Sequence, residues 1–340
     1  MTEYLVAGSL WWAGRLRTGE ALRLDAAGRA VPVPLADVPQ SAARRDFPGT
    51  LLPGLTDAHV HSGLADLAVV RAGGIAAVWD LGGVPARVGA LAQRAADPAA
   101  GLPRIRFAGP FLTAPGGYPS DRPWAAPGSW WEIRSAADAP AAVAGARAAG
   151  ATLIKVVAHA GGPQLRPDAL TALVRAAHDA GLPVVVHAEG PGTVAAACEA
   201  GADLLAHTPW TEPLDDGLVR ACAERMEWIS TLDIHGWGTP TPEWGTAVGN
   251  LRRFRAYGGS VRYGTDLGNG PLPPGVNRRE VRALQEAGLA PDDILRAMTG
   301  PGISGHGVSW IPGGLDLDPA RFADVLVTAR VLDETVRPRT

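Results

Sequence analysis

Cysteine is almost absent: Cys198 and Cys222 are the two in 340 residues. That excludes a disulfide scaffold. Both sit in Ala-rich helical stretches and read as small buried hydrophobes rather than metal ligands. No run of 18 or more apolar residues occurs, and the opening MTEYLVAGSLWWAG has no basic n-region. A membrane span and a signal peptide are therefore not expected, and the cytoplasm is the expected location. Neither sign of charge dominates: Lys+Arg is 31, Asp+Glu is 34, and the net charge is -3. With no zinc knuckle and no basic–aromatic interleaving, a nucleic-acid partner is not expected. The Gly-rich stretches DLGG (80–83) and GNGPLPPG (268–275) lack GKS/T and G-x-G-x-x-G, which argues against a nucleotide cofactor. Phe and Tyr are few, 5 and 4, yet there are 11 Trp.

What is present is a repeated alternation. From residue 48, eight short apolar runs end in polar residues: TLLPGLTDAHVH, IAAVWD, PRIRFAGP, TLIKVVAHA, LPVVVHAEG, ADLLAHT, WISTLDIHG and VRYGTDLG. Runs of this kind suit strands buried on both faces. Ala/Leu/Arg/Glu-rich segments of helical length separate them, at 86–96, 136–150, 166–181, 243–258, 277–289 and 291–300 among others. The expected fold is α/β, a (β/α)8 TIM barrel over 51–307. A doubly wound sheet is the competing answer. Polar residues at the ends of the first through eighth strands favour the barrel, because closure brings all those ends to one rim. Residues 1–50 and 308–340 are expected to form a small accessory β unit from both termini. In that unit, AGRAVPVP and ADVLVTA read as strands.

The polar residues at the strand ends carry the chemistry. His59 and His61 leave one face of the first strand, because the side-chain period is two, and so form a ready ligand pair. Asp57 shares that face and could orient one of them. His187, His207 and Asp266 end the fifth, sixth and eighth strands. Lys155 lies in the apolar fourth strand, where an unpaired ammonium is costly. It either snorkels its charge to the rim or serves the site. His159 reaches the substrate or covers the rim. Asp233 and His235, read at the end of the seventh strand, contact the substrate or hydrogen-bond at the rim. Arg122, in the long loop 110–134, and Arg278 suit a carboxylate or are ordinary surface arginines. Trp124, Trp131, Trp210 and Trp237 follow strands three, six and seven and suggest an aromatic-lined pocket for a bulky or aromatic substrate.

With these residues in order, the chain resembles the amidohydrolase superfamily. FPGTLLPGLTDAHVH, TLIKVVA, VVVHAEG, LLAHT, YGTDLG and ADVLV carry the likeness, which runs from about residue 48 to 328. LIKVVA is similar to the metallodipeptidase and prolidase-like branch, and the set is also similar to imidazolonepropionase-related members. The resemblance implies two divalent metal ions. His59, His61 and Asp266 would bind one, and His187 and His207 the other. Lys155 would be N-carboxylated and would bridge them. Zinc is the expected metal, and manganese, cobalt or iron suit the same nitrogen and oxygen donors. The implied reaction is hydrolysis of a C–N bond, amide, peptide-like or cyclic, by a metal-bridging hydroxide, with Asp266 handling the proton. The substrate would be a small molecule or dipeptide-like compound. A lactone or ester hydrolase and a deaminase of an aminated heterocycle are the alternatives, the latter because Glu189 follows His187. A catalytically dead barrel acting as a scaffold is the reading of a different class. A homo-oligomer is the expected assembly.

Overall fold

The computed structural model describes residues 2–25, 29–299 and 307–332. Among them, parallel strands alternate with helices from Leu55 onward. Strands Leu55–Val60, Ile75–Asp80 and Arg104–Phe107 pair side by side. A second parallel set follows the order Trp130–Glu132, Phe111–Thr113, Ile154–His159, Val184–Glu189, Leu204–Leu205, Glu227–Ile229, Ser260–Arg262. The first two strands are buried along their whole length, as expected where helices cover one face and the barrel interior the other.

The two sets meet. The third run is longer than PRIRFAGP and is broken at 108–110. Its first half pairs with Ile75–Asp80, and its second half, Phe111–Thr113, pairs with Ile154–His159. At the other side, Val60 bridges Leu267 in parallel fashion, and His61 N donates to Leu267 O at 2.8 Å. Asp266 N donates to His59 O, also at 2.8 Å. The first strand therefore lies beside the segment that follows the last one, in a TIM-barrel-like arrangement.

Four readings need correction. VRYGTDLG belongs to a strand only over Ser260–Arg262, so Asp266 stands beyond the strand it was read to end. WISTLDIHG is a strand only over Glu227–Ile229. Thr231 then takes a left-handed conformation, φ +43°, and starts the 3-10 turn Leu232–His235, so Asp233 and His235 stand beyond the strand. ADLLAHT keeps only Leu204–Leu205 as strand. ADVLV is not a strand at all. It lies in the helix Pro319–Leu326, where Asp318 caps Ala320 N, Pro319 occupies the first turn, and Phe322, Ala323 and Leu326 fall on one buried stripe. Spacing by one and four decides for helix over the β-branched content of the run.

Both ends of the described chain contribute to one further sheet. Its order is Arg330–Val331, Val308–Ile311, Ala43–Pro53, Glu3–Trp12, Glu20–Leu24, Ala30–Pro34, with Arg15–Arg17 paired to Glu3–Trp12. The turn read just before Ala30 and the tail beyond Leu332 lie outside the described residues. Trp11 joins this sheet to the rest: it is 1% exposed, and its indole N–H donates to Asp292 at 2.7 Å. No described helix is long and apolar enough to cross a membrane.

Candidate metal centre

The polar strand ends converge. One cavity of about 220 Å³ is lined by His59, His61, Lys155, His187, His207 and Asp266, with Leu64, Phe111, Tyr118, Trp124 and the 268–270 loop around them. These residues arrive from the first, fourth, fifth, sixth and eighth strand positions. A larger cavity, about 580 Å³, opens where Glu227 and Ser260 begin their strands, and no histidine lines it.

Each imidazole is held by one ring nitrogen. His59 Nδ1 donates to Ala206 O at 2.8 Å, and His61 Nδ1 donates to Gly82 O at 3.1 Å. A carbonyl can only accept, so in the neutral form of either ring Nε2 keeps its lone pair. His207 Nδ1 bonds the Thr231 hydroxyl at 2.9 Å. His187 is turned the other way: its Nε2 bonds Glu189 Oε2 at 3.0 Å. The Asp57 carboxylate touches no imidazole. It accepts from His59 N, Thr265 N and the Thr265 hydroxyl, and so ties the first strand to the segment after the last strand.

The freed atoms face one another. His59 Nε2 and Asp266 Oδ1 lie 3.0 Å apart, and His61 Nε2 lies 3.2 Å from the same oxygen. His59 Nε2 and Asp266 Oδ1 are nonetheless buried without a hydrogen-bond partner. Leaving such atoms unpaired is costly, and a divalent cation between them would satisfy both. Ligand atoms of His59, His207 and Asp266 all lie within 4.8 Å of one another, and those of His159, His187 and Glu189 form a second such group. The carry-over paired His187 with His207. In the structure His207 stands between, its ring 4.6 Å from His59 and 5.0 Å from His187.

The protonation states suit ligation. Burial pushes His59 down to about 4 and holds His207 well below the usual imidazole value, so both are neutral donors. Burial would raise Asp266, but His59, His61 and His207 outweigh it and hold the carboxyl well below its ordinary range. Lys155 is 1% exposed, and burial lowers its amine to about 7.

Around this centre the remaining candidates separate. Trp124 lines the cavity, and Trp210 stands edge-on to His207 with ring centroids 5.4 Å apart. His235 packs on Trp210 at 4.8 Å, and its Nε2 is buried without a partner. Trp237 is 43% exposed and donates from Nε1 to Asn269 O at 3.3 Å, on the cavity's 268–270 loop. His159 Nδ1 lies 3.1 Å from Glu189 Oε2. Four candidates turn away from the cavity. Trp131 lies against Gly145 of the helix Ala139–Ala148. Asp233 spends its carboxylate on Asn277 Nδ2 at 2.7 Å and Arg279 Nε at 2.9 Å. Arg122 lies over the outer Tyr118 ring, 5.3 Å from its centroid, and beside Asp121. Arg278 pairs with Asp324. Tyr118 was missed. Its ring stacks on His187 at 5.0 Å and 16°. Its sequence signal, one Tyr in the long Gly/Pro-rich loop 110–134, names the loop but not the residue.

No protein-family model and no curated protein matches this sequence. Solved structures do match in fold. A Xaa-Pro dipeptidase with bound methionine superposes with a TM-score of 0.77 at 19% identity, over 96% of each chain. The A. niger ochratoxinase gives 0.79 at 19% identity, over 98% of this chain and 94% of that one. A molinate hydrolase gives 0.75 at 18% identity, over 100% of this chain and 98% of that one. At these identities the likeness establishes a shared fold, the TIM-barrel-like architecture of those hydrolases, extending over the whole of this chain.

Proposed function

We propose that this chain is a metal-dependent hydrolase of the amidohydrolase superfamily, built on a closed (β/α)8 barrel with two divalent cations. It would cleave a C–N bond, amide or peptide-like, in a bulky or aromatic small molecule or dipeptide-like compound. One observation carries this reading: four imidazoles, an ionised Asp266 and the buried Lys155 amine line one small cavity. The shared fold with a dipeptidase, an ochratoxinase and a molinate hydrolase supports it.

His59, His61 and Asp266 would hold one ion, and His187 and His207 the other. Bound divalent metal would supply a Lewis acid for the scissile carbonyl and lower the pKa of a coordinated water. Zinc suits this nitrogen and oxygen donor set. Asn269 Nδ2 donates to Asp266 Oδ2 at 2.9 Å and so orients the carboxylate with Oδ1 toward His59 and His61. From that position Asp266 takes the proton of the attacking water and returns it to the leaving amine. Lys155 would be a carbamate. With its amine lowered to about 7, the neutral form is well populated near pH 7. That form adds carbon dioxide and releases one proton, and the resulting anion replaces an unpaired buried cation with a ligand. Phe111, Tyr118 and Trp124 around the ligands favour an aromatic or bulky substrate.

The test is reconstitution with zinc, manganese or cobalt, followed by metal counting and a substrate screen. The screen covers dipeptides, acyl-amino acids, cyclic amides, lactones and aminated heterocycles. Two ions per chain with amide turnover is the expected result. One ion with ammonia release would replace it by a deaminase, and no bound metal would overturn both. Carbon-13 bicarbonate should give a carbamate signal that Lys155→Met lacks. No such signal in metal-loaded protein would remove the carbamate.

A further inference from the structure

His187 differs from the other three imidazoles of the cavity in which nitrogen is tied. His59, His61 and His207 are held through Nδ1 and present Nε2. His187 is held through Nε2, by Glu189 Oε2 at 3.0 Å. A carboxylate accepts only, so this bond places the ring proton on Nε2 and bares Nδ1.

The carboxylate is itself positioned. Glu189 stands opposite His159 in the parallel register of Ile154–His159 and Val184–Glu189, where Val157 stands opposite His187. Alternation puts His187 and Glu189 on one face of their strand. His159 Nδ1 lies 3.1 Å from the same Oε2 that accepts from His187, without forming a hydrogen bond to it. The His159 ring is packed against Gly161, where an added Cβ would lie 2.7 Å from its Nε2. Tyr118 closes the group, with its ring 5.0 Å from His187 and 5.1 Å from His159.

We infer that Glu189 is a positioning residue that fixes His187 with its proton on Nε2 and its Nδ1 lone pair directed to a metal ion. This rests on the proposed binuclear site for its consequence, but not for its geometry. Carboxylates bonded to a ligating histidine set its tautomer and basicity, and their loss typically costs about 10–100-fold in metal affinity. Glu189 thereby acquires a role other than ligation, although its atoms could form a ligand group with those of His159 and His187.

Nitrogen-15 histidine spectra of the metal-free protein test the tautomer, and metal titration tests the consequence. In the wild type, His187 should carry its proton on Nε2 while His59 and His61 carry theirs on Nδ1. Glu189→Ala should mix the His187 tautomers and weaken the second ion about 10–100-fold, with the first ion retained. Glu189→Gln, whose amide oxygen still accepts the N–H, should preserve the tautomer and most of that affinity. A His187 proton on Nδ1 in the wild type would overturn the inference, as would Glu189→Ala leaving both readouts unmoved. If Glu189→Gln keeps the tautomer but loses the second ion as fully as Glu189→Ala, Glu189 is a ligand and the positioning role is wrong. If wild type binds no metal while the tautomer behaves as expected, the hydrolase reading fails and the positioning of His187 by Glu189 stands.

Discussion

In the proposed function Asp266 is the residue on which the chemistry would turn, and its backbone constrains the way it can be tested. It sits at φ +57°, in the left-handed region that most side chains avoid and that Asn and Asp tolerate. Asp266→Asn therefore keeps the loop while removing the charge and the proton acceptor. A fall of about 10²–10⁴-fold in kcat/KM is expected, with an unchanged circular dichroism spectrum. Activity within a few-fold of wild type would remove Asp266 from the proton transfer. Lys155 gives the complementary case. Its stem is fully buried, and the burial of its amine opposes folding. Lys155→Met conserves volume without the polar end. In metal-free protein its urea midpoint should equal or exceed that of wild type, while hydrolysis is lost. A lower midpoint would mean that the amine contributes to the fold. His59, His61, His187, His207 and Asp266 were legible because strand period and strand-end position are written in the chain. The ring orientations were not, because their partners, Ala206 O, Gly82 O and Thr231, lie on neighbouring strand ends remote in sequence.

Among the elements, the strand termini do most to shape the site. Gly82 follows the strand Ile75–Asp80 at φ +149°, and a Cβ there would lie 2.2 Å from the Phe111 ring. Its carbonyl is the one that holds His61. Gly82→Ala should displace that carbonyl and Phe111 together. Metal affinity should fall by about tenfold or more while secondary structure is retained, as read by titration with a chromogenic chelator. Unchanged affinity would show that His61 is oriented by some other contact. Helices were legible here from start and stop residues: 166–181 is observed as Pro167–Asp179 and 243–258 as Pro242–Ala256. The failures were at short strands. Leu204–Leu205 and Glu227–Ile229 are two and three residues long, and the polar residues read as their ends lie beyond the strands. ADVLV was misread because its Val and Leu content outweighed its i, i+4 burial.

At the scale of the whole molecule, buried carboxyls beneath the rim couple the fold to pH. Glu280 is fully buried, accepts from Asp233 N at 2.8 Å, and is raised from 4.5 to about 8 by burial, with the Asp233 charge adding to the rise. The folded chain therefore keeps a proton that the unfolded chain releases. Stability from this group is whole below about pH 4.5 and declines as pH rises toward 8. Urea midpoints of metal-free protein should fall across that window, and Glu280→Gln should flatten the decline. An equal slope in the variant would assign the pH dependence elsewhere.

The sequence by itself determined the alternation of strands and helices and placed the candidate ligands at or just beyond strand C-terminal ends. Those features follow from local periodicity, which needs no knowledge of distant neighbours. Tertiary structure alone decided which of those residues meet. Trp131, Asp233 and Arg122 carried the right chemistry in the right segments, yet packing on Gly145, pairing with Arg279 and exposure over Tyr118 took them out of the cavity. Tyr118 came to the centre through a loop conformation that no local pattern encodes, and Glu189, beside His187 by strand period, met His159 only through the strand register. Orientation depends on contacts between residues far apart in the chain, and those exist only once the barrel-like sheet has brought its strand ends together.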